Sequence, residues 1–150
     1  MTKQDLQTKL KESMLAKDEL RTSVLRMLLS SINYYEIQKG GAGYTATDED
    51  VLSVTQSQAK QRRDSIEEYK KAQRQELVDK EQKELEILQA YLPAQMSEEE
   101  VKKIIDQTVS ETGASTIQDM GKLMGALNGK LKGKADMGFV SNLVKQKLTS

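Results

Sequence analysis

The sequence predicts an all-α protein. Its 150 residues include one proline and no sustained run in which β-branched or aromatic residues alternate with polar ones, which would indicate a strand. Apolar residues instead recur every three or four positions, the spacing of one helix face. We expect an N-terminal helical lobe with a long helical hairpin, followed by a small three-helix tail bundle.

Caps and glycines mark the ends of the first helices. Thr2, followed by Asp5, resembles an N-terminal cap, and a break is expected near residues 17–18 before the second helix. The second helix should end in the glycine-rich loop at residues 40–43. Thr47 then begins the third helix, whose first turn carries carboxylates that complement the positive end of the helix dipole.

Arg62 falls on the predicted buried face of the third helix, where a charge needs a partner. If the chain reverses between the third and fourth helices, Glu81 or Glu84 comes level with Arg62. We therefore predict an ion pair between the two helices that involves Arg62, Glu81 and Glu84. The alternative is that Lys60, Arg62 and Arg63 form a basic patch facing RNA, which we consider the weaker interpretation.

Pro93 marks the predicted domain boundary. Proline restricts the residue before it and supplies no amide donor, so the fourth helix should end here. This divides the chain into an N-terminal domain at residues 1–93 and a tail domain at residues 94–150. Ser97 and Glu100 have the spacing of a capping box and should open the fifth helix.

Two further helices should complete the tail bundle. Gly113 stops the fifth helix, and Gly133 closes the sixth. Thr116 and Asp119 open the sixth helix, and Asp136 caps a short seventh. The residues of the sixth helix that we expect to face inward are Ile117, Met120, Met124, Leu127 and Leu131.

Composition excludes several classes of site. With no cysteine and no histidine, the chain has no thiol nucleophile, no Ser-His or Cys-His pair, and no zinc site of the usual nitrogen and sulfur ligands. Carboxylate chemistry, an oxygen-ligated cation and Ser-Lys catalysis stay open, but nothing singles them out. We therefore predict no catalytic residue, no metal and no cofactor.

The sequence also predicts a location. No apolar run is long enough to span a bilayer, so no membrane association is expected. The first residues lack the apolar segment of a secretory signal, and there are no cysteines for the disulfides of an exported protein. By default, we expect a cytoplasmic protein.

The most unusual segment combines glycines and lysines within the predicted sixth helix. Each glycine inside a helix costs about 0.5–1 kcal/mol relative to alanine, so Gly121 and Gly125 suggest that something approaches the backbone closely. One explanation is close packing of another tail helix. The other is a backbone groove leading to cations, which suits a sugar-phosphate chain. The nucleic-acid surface predicted on this basis comprises Gly121, Lys122, Gly125, Asn128, Lys130, Lys132 and Lys134.

The C-terminal end is basic although the formal net charge is zero. Residues 113–150 hold six lysines against two aspartates, whereas residues 94–112 hold two lysines against five acidic residues. The last two helices should form a modest basic pole able to bind phosphates. Because Phe139 is the only phenylalanine and tryptophan is absent, recognition of a folded RNA by shape is favoured over base stacking.

Motifs spread along the chain resemble those of the YqeY-like proteins, in the same order and over nearly the whole length. They are LRML at 25–28, KQRRDSI at 60–66, ELEIL at 84–88 with YLP at 91–93, DMGK at 119–122 with MG at 124–125, and GKAD at 133–136. Gln73 departs from the glycine or asparagine expected before Arg74, which predicts a less sharp turn between the third and fourth helices than in relatives.

The resemblance implies an all-helical protein in two lobes. YqeY-like proteins resemble the helical and tail portion of the B subunit of the glutamine-dependent tRNA amidotransferase, and a related module is appended to some glutaminyl-tRNA synthetases. In these larger relatives the tail lobe touches the body of tRNA. The resemblance also implies a link to translation and, by similarity, to carbon-nitrogen ligase activity with glutamine as amide donor, although the catalytic domains of those enzymes have no counterpart here.

Two functional hypotheses of different classes follow. The favoured one is a non-catalytic accessory module that binds the body of tRNA through shape and phosphate contacts, with amidotransferase or aminoacyl-tRNA synthetase components as further partners. The alternative is a protein-interaction or assembly module. A direct accessory role in amide transfer is the least favoured.

Overall fold

A computed structural model describes residues 1–149 of the chain, and this part contains seven α-helices and no strand, which confirms the all-α prediction. Two short 3-10 helices, Gly41–Gly43 and Ile117–Asp119, join longer elements. The α-helices are α1 Lys3–Leu15, α2 Glu19–Gly40, α3 Asp48–Lys71, α4 Gln75–Gln89, α5 Glu98–Thr112, α6 Met120–Leu131 and α7 Met137–Thr149.

The helices form two compact units, Met1–Leu92 and a second that begins at Pro93. Capping boxes set the starts of two helices in the first unit: the Thr2 side chain pairs with Asp5, and that of Thr47 pairs with Asp50. The largest side chains buried in this unit lie on α1, α2 and α4 and are Leu6, Val24, Leu25, Leu28, Ile32 and Leu88. Together with the buried apolar residues of α3, which are Val51, Val54, Ala59 and Ile66, they form the apolar surface whose burial holds the four helices together.

The turn between α3 and α4 is tight and is built without glycine. Gln73 has φ 57°, in the left-handed region, and Arg74 N–H donates to the carbonyl of Tyr69 at 2.9 Å. The chain therefore reverses within residues 72–74 with a residue that carries a Cβ in the left-handed position. The helix pairing imposes the left-handed conformation although a side chain with a Cβ disfavours it.

We expect Gln73→Gly to stabilise the first unit by about 0.5–1 kcal/mol. The left-handed conformation costs an L-residue roughly 1–2 kcal/mol, and the greater backbone entropy of glycine offsets only part of the gain. A urea titration of the purified protein measures the change. Gln73→Ala keeps the Cβ and should not gain stability. A loss of stability in Gln73→Gly would contradict the inference that the backbone is strained at this residue.

The second unit buries one stripe from each of its three α-helices. Ser97 and Glu100 form the predicted capping box of α5, and Gly113 ends that helix in the left-handed conformation at φ 69°. Asp119 accepts hydrogen bonds from the backbone N–H groups of Ser115 and Thr116 just before α6. The core of the unit comprises Val101, Ile105, Ala114, Leu123, Leu127, Leu131, Ala135, Val140, Val144 and Leu148.

The inward face of α6 differs from the prediction at its start. Ile117 lies in the 3-10 helix before α6 and is 44% exposed. Leu123, which was not among the predicted inward residues, is fully buried, while Met120 and Met124 are half-buried at its side. The 3-10 turn shifts the angular position of Ile117 relative to the α-helix, so an uninterrupted 3.6-residue period places that residue incorrectly.

Candidate nucleic-acid interface

The glycines of α6 lie on an open surface. An ideal Cβ built on Gly121, Gly125 or Gly129 would have no heavy atom within 4 Å beyond the local backbone, and all three residues are exposed. Close packing of another tail helix therefore does not explain them. Their cost to helix stability, about 0.5–1 kcal/mol each, has no compensation within the part of the chain that the structure describes.

Four exposed residues form a continuous ridge along the helix. At 100° per residue, Gly121, Gly125, Asn128 and Lys132 fall within about 60° of one another. We call this set the α6 ridge. It lies on the side of the helix opposite the buried leucine stripe, so the packing of the core directs the ridge to solvent. The ridge therefore exposes the backbone at the two glycines, the side-chain amide of Asn128 and the ammonium group of Lys132 along one line on the helix surface.

Two of the predicted lysines lie beside the ridge and one does not. Lys122 and Lys134 are exposed, one flanking the start of the ridge and the other following its end. Lys130 points instead to α5, where its Nζ donates to a carboxylate oxygen of Glu111 at 2.7 Å and to Thr108 Oγ1 at 3.1 Å. We therefore remove Lys130 from the set of candidate phosphate contacts.

The basic pole is smaller than the count of lysines suggests. Lys130 pairs with Glu111, and Lys147 pairs with Asp106, so the acidic helix α5 compensates two of the six cations. Asp119 lies at the N-terminal end of α6, and hydrogen bonds lower the pKa of its carboxyl. The bond from the backbone N–H of Ser115 has the largest effect. An ionised carboxylate therefore borders the ridge near Lys122.

Arg62 lies inside the first unit and is 6% exposed. Its Nη1 donates to Glu81 at 3.2 Å and to Glu84, and its Nη2 lies 3.7 Å from the sulfur of Met27. The structure thus places the three residues of the predicted ion pair together. Lys60, which was considered with Arg62 and Arg63 for an RNA-facing patch, pairs with Asp64 on the surface at 2.9 Å.

A second buried carboxylate cluster escaped the sequence analysis. Asp50 is buried and accepts hydrogen bonds from the hydroxyls of Tyr35 and Tyr44, from Lys39 Nζ at 2.8 Å and from Thr47 N–H at 2.9 Å. Only the Thr47–Asp50 capping spacing was visible in the sequence. The donors surround the carboxylate, so this cluster fixes the segment between α2 and α3 and offers no base for catalysis.

We expect the first unit to lose stability as the pH falls below about 4. The hydrogen bond from Lys39 is the largest cause that holds the pKa of Asp50 far below its ordinary 3.8. A carboxyl whose pKa is lowered by folding stabilises the folded state at pH values above its ordinary pKa. This added stability is lost as the pH falls towards the pKa of the folded state. Urea midpoints between pH 7 and about pH 2 should fall less steeply for Asp50→Asn. Asp64→Asn is the exposed control, and parallel curves for wild type and Asp50→Asn would contradict the assignment.

Within residues 1–149, no helix is both long and apolar enough to cross a membrane. No group of three or more acidic side chains within this range is arranged to hold a metal ion.

Comparison with known proteins identifies one family. A family model described as Yqey-like protein matches residues 3–148. Relatives of the chain include several proteins with the name "Altered inheritance of mitochondria protein 41, mitochondrial". The one from Vanderwaltozyma polyspora is 34% identical over 95% of this chain and 79% of its own length. The one from Saccharomyces cerevisiae strain YJM789 is 33% identical over 77% of this chain and 64% of its own length. The one from Lachancea thermotolerans is 43% identical over 59% of this chain and 46% of its own length.

These relatives correct one prediction. The expectation of a cytoplasmic location is contradicted, because the relatives are named as mitochondrial proteins. The expectation relied on the absence of a secretory signal and of cysteines. Those features argue only against the secretory route and do not distinguish the cytoplasm from an organelle that is reached by another targeting signal.

Proposed function

The chain belongs to the YqeY-like protein family, and we propose that it is a non-catalytic accessory module that binds tRNA through the α6 ridge. In this proposal, residues 1–93 form an N-terminal lobe with a helical hairpin, and residues 94–150 form a three-helix tail domain. The observation that carries the proposal is the open surface at Gly121 and Gly125 beside exposed lysines.

The α6 ridge suits a sugar-phosphate backbone for steric and electrostatic reasons. Without side chains at Gly121 and Gly125, a strand can approach the helix closely, and Asn128 can donate to a phosphate or ribose oxygen. Lys122, Lys132 and Lys134 supply attraction that does not depend on sequence. This combination positions a nucleic acid without reading its bases.

Recognition by shape is favoured over base stacking at this surface. Phe139, the only phenylalanine, packs half-buried against the core of the second unit. None of the residues of the α6 ridge is aromatic. The surface is therefore suited to the phosphates of a folded RNA, such as the body of tRNA.

A gel shift with tRNA at several salt concentrations tests this proposal. The triple variant Lys122→Glu, Lys132→Glu and Lys134→Glu should abolish binding, and single lysine-to-alanine variants should each lower the salt slope by roughly one phosphate contact. The matched control reverses three exposed lysines of the first unit, Lys11, Lys80 and Lys83. Unchanged affinity in the first variant, or equal losses in both, would overturn the proposal.

A protein-interaction module is the second candidate, because the same glycines would let a helix of a partner approach the backbone of α6. Gly121 and Gly125 are one helical turn apart and open to solvent. Amidotransferase or aminoacyl-tRNA synthetase components are the partners that we would examine first. In this case Gly121→Leu or Gly125→Leu should disrupt a complex isolated by pull-down, and added tRNA should have no effect on that complex.

Assistance in amide transfer is the remaining alternative. It predicts that purified protein, supplied with glutamine, ATP and mischarged tRNA, yields amidated aminoacyl-tRNA. If product appears only when an amidotransferase is added, and the protein raises its yield, the module acts as an accessory to carbon-nitrogen ligase activity and not as the enzyme.

A further inference from the structure

A cleft of about 560 Å³ opens between α2 and α3 in the first unit. This volume lies within the range of roughly 300–1,000 Å³ that is usual for small-ligand sites. Val54, which is buried, contributes apolar surface to the cleft. Eight polar residues line the rest of it: Ser30, Ser31, Tyr34, Tyr35, Gln38, Ser53, Ser57 and Gln58.

The lining selects for an uncharged ligand. All residues around the cleft are serine, tyrosine, glutamine or valine, so none carries a charge at neutral pH. A charged ligand would lose hydration on entering the cleft and would gain no ion pair in return. The cleft therefore differs in chemistry from the lysine-flanked α6 ridge.

Six of the eight polar side chains of the cleft are available to a ligand. Within residues 1–149, these six side chains, those of Ser30, Tyr34, Gln38, Ser53, Ser57 and Gln58, make no hydrogen bond to another protein group. Of the other two polar residues of the lining, Tyr35 donates its hydroxyl to Asp50 at 2.9 Å. The remaining lining residue, Ser31, donates its Oγ to the carbonyl of Met27 at 3.0 Å, as Thr55 Oγ1 outside the cleft donates to the carbonyl of Val51 at 2.7 Å. Such bonds to the preceding turn are the usual arrangement for helical hydroxyls.

Tyr34 gives the cleft an aromatic surface. It is 66% exposed, in contrast to Tyr35 of the same cleft, whose hydroxyl donates to Asp50. An exposed tyrosine ring offers a face for stacking. Gln38 and Gln58 stand on the two helices that border the cleft, and each amide carries both donors and an acceptor, as the edge of a nucleobase does.

We propose that this cleft binds a neutral nucleobase, either as a free nucleoside or as an unpaired base of an RNA strand. The base stacks on the ring of Tyr34, and the amides of Gln38 and Gln58 hydrogen-bond to its polar edge. The site lies outside the α6 ridge and does not depend on tRNA binding there.

NMR titrations of the full chain with adenosine, guanosine, cytidine and uridine test the proposal. At least one nucleoside should give saturable shifts confined to amides of α2 and α3 and to the side-chain amides of the two glutamines. Tyr34→Ala should weaken binding by about tenfold or more, the range for loss of one stacked base. Ile37→Ala, which changes a side chain that is 63% exposed on the same helix but outside the cleft, is the matched control and should bind normally.

A second titration, with a short single-stranded RNA, separates the two sources of the base. Equal affinity for RNA and nucleoside indicates a small-molecule site, and at least tenfold tighter binding of RNA indicates an unpaired base in a strand. The triple variant of Lys122, Lys132 and Lys134 should keep its nucleoside affinity, so a failure of the tRNA proposal does not affect this proposal. Absence of saturable shifts with every nucleoside and the RNA, an unaltered response in Tyr34→Ala, or saturation by a neutral disaccharide alone would overturn the proposal.

Discussion

Replacement of Arg62 by alanine is expected to cost the first unit about 3–5 kcal/mol of unfolding free energy, the range for breaking a buried ion pair by removing one partner. The change leaves Glu84 buried and Glu81 half-buried without their shared cation. It also removes the aliphatic stem of a side chain that is buried. Urea unfolding followed through the amide NMR signals of the first unit measures this loss.

Two controls separate the ion pair from general effects. Lys60→Ala removes an exposed pair and should change stability by less than about 1 kcal/mol. Replacing Arg62, Glu81 and Glu84 together by methionine removes all three charges and should recover most of the loss. A near-neutral Arg62→Ala variant would contradict the buried pair, and tRNA affinity reduced in that variant while it is still folded would restore the hypothesis of a basic patch on α3.

The double variant Gly121→Leu and Gly125→Leu is expected to fold more stably and to bind tRNA at least about tenfold more weakly. Each substitution replaces an exposed helical glycine whose Cβ position is open, so stability should rise by roughly 1–2 kcal/mol in total. The leucine side chains project from the α6 ridge and prevent a phosphate backbone from reaching the helix. Thermal melts and filter binding on the same preparation measure the two effects.

The matched control places two leucine side chains on another helix of the second unit. Gln107 and Ser110 are exposed on α5, and their replacement by leucine should leave tRNA affinity unchanged. Undiminished binding by the α6 double variant would contradict a close approach of RNA to the backbone. Loss of a protein partner with intact tRNA binding would favour the assembly module.

Much of the fold follows from local features that a sequence displays. The capping boxes at Thr2 and Ser97 and the left-handed glycine at Gly113 lie where the pattern of cap residues predicts them. These signals depend on residues within one turn of each other. Gln73 shows the limit, because its left-handed conformation is imposed by the pairing of α3 with α4 and not by its own preference.

The candidate site was predicted less completely, since it depends on contacts between helices. The glycines and Asn128 of α6 share a face because of helix geometry alone. Whether Lys130 reaches that face or Glu111 depends on the register of α5 against α6, which composition does not encode. The cleft of the first unit was missed for the same reason, because its lining comes from residues about twenty positions apart on α2 and α3.

Crosslinking of tRNA to the purified protein, with mass-spectrometric identification of the attached peptides, tests the central claim most directly. We expect the dominant crosslinked peptides to contain residues of the α6 ridge and to disappear in the triple lysine variant. Crosslinks that map mainly to α3 or α4, or that persist unchanged in that variant, would contradict it.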